Sequence, residues 1–122
     1  MRIDAAVSGD TPSLNHFDRP HDPRHRHHHH QHGQRDTVLQ MFRANVPAVR
    51  AEHGCIEYEA TIDASPALKF QTEFGPDTFV VVEKWESAAA LEAHLTAPHM
   101  TAYSAKTREF VSNRVIHVLS LA

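Results

Sequence analysis

Val38, Phe42, Val46 and Val49 recur at helical spacing, and Met41 widens the stripe, which predicts a helix beginning at Asp36. Asp36 or Thr37 supplies its N-cap. Pro47 lies inside the pattern, where it removes one backbone donor and should kink or loosen the helix. Gly54 stands where a left-handed residue would end it. At Cys55 the spacing changes to two. Ile56, Tyr58, Ala60 and Ile62 alternate with Cys55, Glu57, Glu59 and Thr61, the pattern of a half-buried strand with a charged outer face. Pro66, Gly75 and Pro76 make the stretch from Asp63 to Asp77 a long connection, with room for an extended piece at Lys69–Thr72.

Phe79-Val80-Val81-Val82 is then an unbroken apolar run rich in β-branched residues, a strand expected to be buried on both faces. Alternation puts Phe79, Val81, Glu83 and Trp85 on one side and Val80, Val82 and Lys84 on the other. Ser87 caps a short helix to Leu95, whose Leu91, His94 and Leu95 share a face. Pro98 opens a second helix with the stripe Met100, Tyr103, Thr107, Phe110 and Val111, closed by Asn113 and Arg114. Val115 to Leu121 is a last strand, Ile116 and Val118 opposing Val115, His117 and Leu119. The order is helix, strand, strand, helix pair, strand. This is most of a split βαβ plan, which needs one more strand before the first helix.

Composition changes the picture at the front of the chain. Of 122 residues, 12 are histidine, and eight of these lie between His16 and His32, beside Pro20 and Pro23. Residues 1–33 carry four Asp and four Arg, so the formal charge of -3 belongs to residues 34–122. The segment 1–33 lacks a helical or strand period and is expected to be disordered or aberrant, with the folded domain over 34–122. Its run His27-His28-His29-His30-Gln31-His32 could capture Zn, Ni or Cu through neutral imidazoles, although it lacks the spacing of a structural zinc site. The remaining totals are exclusions. No basic balance points to nucleic acid, no apolar run reaches the roughly 18 residues of a membrane span, and no charged-then-apolar start suggests a signal peptide. The single cysteine, Cys55, excludes an internal disulfide and fits a reducing cytoplasm.

Three stretches then resemble the antibiotic biosynthesis monooxygenase family, which includes quinol monooxygenases and anthrone oxygenases. They are Glu52-His53-Gly54-Cys55-Ile56-Glu57-Tyr58-Glu59, Phe79 to Glu86, and Leu91-Glu92-Ala93-His94-Leu95 with Pro98-His99-Met100. The resemblance spans about residues 34–122. It implies an α+β, ferredoxin-like domain with an antiparallel sheet, pairing sheet to sheet with a second copy as a dimeric α/β barrel. It also implies a pocket between helices and sheet, and oxygenation of an electron-rich aromatic by dioxygen with no flavin, haem or metal. The family's first strand sits in the middle of the sheet, and here its slot falls on Arg24 to Gly33. A strand of histidines there would desolvate several imidazoles. Three readings stay open: the tract is forced into the slot, the strand is missing, or residues 1–33 are a frame-shifted start. In the last case histidine codons read one nucleotide later give Thr and Ile.

Such chemistry needs a dry pocket, a base to accept a phenolic proton, and packing for an aromatic ring. His94, on the apolar face of its helix, is the candidate base, and Trp85 the candidate catalytic partner that packs on the substrate and donates through its N–H. Glu83, Tyr58, His99 and Tyr103 are candidate substrate contacts; a core role is the competing reading for each aromatic residue. His53 and His117 are read as structural, and Cys55 has no base beside it in sequence. The leading function is a homodimeric, cofactor-independent monooxygenase of a quinol, polycyclic phenol or anthrone. The alternatives are a haem-binding or haem-degrading protein with His94 or His99 as axial ligand, a small-molecule isomerase on the same fold, and a non-enzymatic metal-binding protein that works through its His tract.

Overall fold

The computed structural model describes residues 3–10 and 28–122, with side chains from Gln34 onward. The elements are β1 (Ile3–Asp10), α1 (His28–Arg50), β2 (Cys55–Thr61), β3 (Thr78–Trp85), α2 (Ala88–Leu95), α3 (Pro98–Thr107) and β4 (Asn113–Leu119). The four strands form one sheet in the order β2-β3-β1-β4, and every neighbouring pair is antiparallel.

The slot expected to be atypical or missing is filled, and from a different place. Ile3–Asp10 runs between β3 and β4, with Ile3 opposite Trp85, Val7 opposite both Val81 and Ile116, and Asp10 opposite Thr78. Its composition, with two alanines, a serine and a glycine, conceals a strand because small side chains carry no hydrophobic alternation. Arg24 to Gly33 does not take that slot: His28 to Gly33 are the first turns of α1, which starts well before Asp36. Residues 11–27 lie outside the described residues, and with them the expectation of disorder there and His27 of the proposed metal-capturing tract, whose remaining residues, His28 to His32, belong to α1.

Pro47 does sit within α1, which continues past it to Arg50. The register of β2 corrects the simple alternation. Cys55 pairs with Trp85 and Glu57 with Lys84, so Ile56 is an extra residue in a β-bulge. The bulge turns Ile56 outward (48% exposed) while Tyr58, opposite Glu83, points inward at 3%. Ile62 is likewise exposed. The stretch expected to extend at Lys69–Thr72 instead turns, with Gln71 N–H donating to the Leu68 carbonyl. α3 ends at Thr107 rather than Asn113, and Phe110 and Val111 pack from the turn that follows.

β3 alternates as the sequence suggests: Phe79, Val81, Glu83 and Trp85 are buried, and Val80, Val82 and Lys84 are half-buried. All three helices cover the first of these faces. The core joins Val38, Leu39, Phe42 and Val49 of α1 to Tyr58, Phe79, Val81 and Trp85 of the sheet, and to Ala90, Leu91 and Tyr103 of α2 and α3. Burying each of the larger side chains is worth about 1.5–3 kcal/mol. Among the described residues, no helix lies over the other face of the sheet, and all of β4 is exposed. Among the described residues, no helix is long and apolar enough to cross a membrane.

Candidate functional site

The site is assembled where the end of α1 meets the start of α2. α1 stops at Arg50, and a tight turn follows, with Glu52 N–H donating to the Val49 carbonyl and Cys55 N–H to that of Glu52. Gly54 adopts φ +86, a left-handed conformation that glycine takes without a Cβ clash. Its carbonyl accepts from Glu86 N–H at 2.8 Å, which ties the turn to the end of β3. Ser87 follows, and its hydroxyl accepts from Ala90 N–H at 3.1 Å, so α2 starts at a fixed point. Ala90 packs over Gly54, and one helical turn later His94 is delivered to Glu52.

His94 is 1% exposed. Its Nδ1 lies 2.9 Å from Glu52 Oε2, and its Nε2 lies 3.8 Å from Glu83 Oε1, too long for a direct hydrogen bond. With Glu52 ionised, Nδ1 carries the proton and donates, so the Nε2 lone pair is the basic one. The Trp85 indole packs at 4.7 Å from the His94 ring and the Tyr58 ring at 5.5 Å edge-on. Trp85 N–H donates to Glu83 Oε1 at 2.9 Å, which satisfies a fully buried indole. Burial pushes the Glu83 carboxyl above the usual carboxylate range, against the Trp85 hydrogen bond and the nearby His94, which pull it down. Burial likewise raises Tyr103 to about 12 and Tyr58 further still, so both hydroxyls are protonated donors at ordinary pH.

A cavity of about 180 Å³ opens between α1, α3 and the sheet. Its walls are apolar and aromatic, from Val38, Phe42, Phe79, Val81, Met100, Val111 and Ile116. The polar groups that reach it are Glu83, His94, Tyr58, Tyr103, Ser104 and Arg114. Phe42 stacks on Tyr58 at 5.0 Å and meets Tyr103 edge-on, so one wall is a run of rings. This is the composition of a small-molecule pocket: mostly apolar, with a few converging polar groups.

The candidate residues therefore divide. His94, Glu83, Tyr58 and Tyr103 line the cavity. Trp85 lies behind that wall, 0% exposed, touching His94 and Glu83 rather than the open space. His99 faces away, its Nε2 2.6 Å from the same Glu52 oxygen that holds His94. His53 is exposed, and Cys55 is only partly buried, its thiol raised by burial and by Glu52 and Glu83, which disfavours a thiolate. The residue that the sequence reading missed is Glu52. A signal was present: an acid just past the last turn of a helix opposes the macrodipole, and a position that breaks a local rule invites a functional explanation.

Among the described residues, no group of three or more His, Cys, Asp or Glu is placed to hold a metal ion.

A model of the family described as antibiotic biosynthesis monooxygenase matches residues 25–106. The Escherichia coli K12 protein named "Probable quinol monooxygenase YgiN" is 42% identical over 85 residues, covering 70% of this chain and 81% of that protein; its Shigella flexneri counterpart matches equally. Among solved structures, PA3566 of Pseudomonas aeruginosa superposes with a TM-score of 0.67 at 22% identity, covering 99% of this chain and 95% of the other. Rv0793 of Mycobacterium tuberculosis gives 0.68 at 20%, covering 100% and 96%. At such identities these two speak for the fold, which is ferredoxin-like. The family match and the close relative speak for more: the chain belongs to the antibiotic biosynthesis monooxygenase family.

Proposed function

We propose that the protein oxidises a quinol, polycyclic phenol or anthrone with dioxygen, using no flavin, haem or metal, and that it works as a homodimer. The observation that carries the reading is the His94–Glu52 pair at the wall of an aromatic-lined cavity. A phenolic hydroxyl in the cavity donates to His94 Nε2, and Glu52 holds the ring in the right tautomer and balances the imidazolium that forms. The electron-rich anion then reduces dioxygen, and the two recombine at ring carbon. One oxygen atom stays as the new carbonyl or hydroxyl oxygen, and the other leaves as water. For hydroquinone the products are hydroxyquinone and water, so the substrate itself supplies every electron and no external reductant is required. Protonated Tyr58 and Tyr103 supply hydrogen bonds to substrate oxygens, and the apolar walls keep water from the anion.

The face of the sheet without helices supports the homodimer. It presents Val80 and Val82, with Val115 and Leu119 of β4 at 40% and 55% exposure, and a second copy would cover it. Sedimentation or gel filtration checks this directly.

The functional test is oxygen uptake with a panel of hydroquinones and anthrones, run with chelator and without added flavin. His94→Ala is expected to lower kcat by about a hundredfold or more. Trp85→Phe, which removes the N–H held by Glu83, is expected to lower it less. No oxygen consumption with any of the panel would remove the reading.

A further inference from the structure

Glu52 Oε2 receives two imidazoles at once, His94 Nδ1 at 2.9 Å and His99 Nε2 at 2.6 Å. What lies behind the two rings differs. The His94 side chain is 1% exposed and belongs to the cavity wall, whereas that of His99 is 28% exposed. His99 lines a separate groove between α1 and α3, with Met41, Asn45 and Lys106, on the outside of the protein. One carboxylate oxygen thus joins a ring that water does not reach to a ring that it does.

The other polar groups around His94 offer no such way out. Glu83 is 3% exposed and already accepts from Trp85, itself fully buried. Tyr58 is 3% exposed and holds its own proton. Hydroxyquinone is a vinylogous carboxylic acid and leaves as its anion at neutral pH, so one proton per turnover is left over and has to reach water. Of the polar groups beside His94, Glu52 is the one that also touches a partly exposed side chain.

We propose that Glu52 and His99 are the exit path for the substrate's proton, a proposal that rests on His94 as its acceptor. The proton arrives at His94 Nε2, and an equivalent one passes from Nδ1 to Glu52 Oε2. The carboxyl group hands it to a nitrogen of His99, the opposite nitrogen releases one to water, and Glu52 is again a carboxylate. The transfers leave each ring protonated on its other nitrogen, and half-turns of the His99 ring in its groove and of the His94 ring once product has left return both to their starting tautomers. Neither Glu52 nor His99 lines the cavity, and both act through His94.

The path is tested without turnover by the exchange of the buried His94 Nδ1–H with water, followed by NMR on the 15N-histidine protein and assigned by its loss in His94→Gln. His99→Gln keeps a donor for Glu52 but has no nitrogen that takes up a proton. Exchange is expected to slow at least about tenfold in this variant and to recover when imidazole is added to the buffer, while the wild type ignores imidazole. Unchanged exchange in His99→Gln overturns the path. So does slowing that imidazole fails to relieve, because it would reflect altered packing. Should Gln unfold the protein, His99→Asn serves the same test. Under turnover, His99→Gln should lower kcat with KM unchanged and make kcat rise with imidazole concentration. A wild type that consumes no oxygen would remove the oxygenase reading, while the exchange rates would still decide the path.

Discussion

Gly54→Ala is the substitution whose cost can be worked most directly from the structure. Two penalties coincide there. The residue sits at φ +86, and holding a residue with a Cβ in the left-handed region costs about 1–2 kcal/mol. The new Cβ would also lie 2.6 Å from Ala90 Cβ, where ordinary contact starts at 3.4 Å, so turn and helix must separate by about 0.8 Å. Overpacking of this kind costs about 1–3 kcal/mol. The sum is about 2–5 kcal/mol, and at about 4 °C per kcal/mol for a domain of this size the melting temperature should fall by about 8–20 °C. Thermal unfolding followed by circular dichroism measures it. Because α2 also carries His94, the separation loosens the 2.9 Å contact with Glu52, and activity should fall further than stability requires. Ala90→Gly divides the two penalties. Alone it costs about 1 kcal/mol for a helical glycine, but in the double variant it removes the clash and leaves the strain. The two sites should therefore couple favourably by about 1–3 kcal/mol in a double-mutant cycle. A drop of under about 3 °C for Gly54→Ala, or additive behaviour of the pair, would refute this account of the turn.

Two further outcomes follow from the buried ionisable groups. Burial, the dominant cause, raises the Glu83 carboxyl in the folded state, so its contribution to stability is full below the ordinary value of 4.5 and is lost as pH rises through the folded value. Urea unfolding of Glu83→Gln beside the wild type should thus show the difference shifting in the variant's favour from pH 4 toward pH 7, and parallel pH profiles would contradict the burial penalty. The chain has two tyrosines, Tyr103 raised to about 12 and Tyr58 beyond it, so a spectrophotometric titration should show almost no phenolate at pH 10, the ordinary midpoint. Half-ionisation at pH 10 would mean that the hydroxyls are in water.

What the sequence made legible follows from how strongly each element declares its period. β3 declares itself twice, by an apolar run and by the alternation that follows, and its inward set of Phe79, Val81, Glu83 and Trp85 is as the structure has it. α2 was marked by Ser87, whose side chain does cap it. β1 is hidden because Ala5, Ala6, Ser8 and Gly9 give no contrast between faces, and it stands far from α1 in the sequence. The start of α1 was hidden by histidines, which are weak helix formers and look like a polar tract. Ile56 was misplaced because a bulge shifts the alternation by one, and an alternating sequence cannot reveal on its own where the extra residue sits. In the site, His94 was legible from the apolar face it shares with Leu91. Glu52 was not, because its partners lie 42 and 47 positions away, and only the folded turn brings them together.

The central position of β1 also bears on how the protein folds. Its register joins Ile3 to Trp85, a separation of 85 − 3 = 82 residues, and Asp4 to Leu119, a separation of 119 − 4 = 115. The two outer halves of the sheet, β2–β3 on one side and β4 on the other, share no ladder except through this strand. A hairpin of β2 and β3 can form early, since its loop is short by comparison, but the sheet as a whole waits on two long loop closures whose entropy is lost before any contact is gained. Folding should accordingly be slow for the chain's size, with the β2–β3 pair protected first in pulsed hydrogen exchange and β4 last to dock.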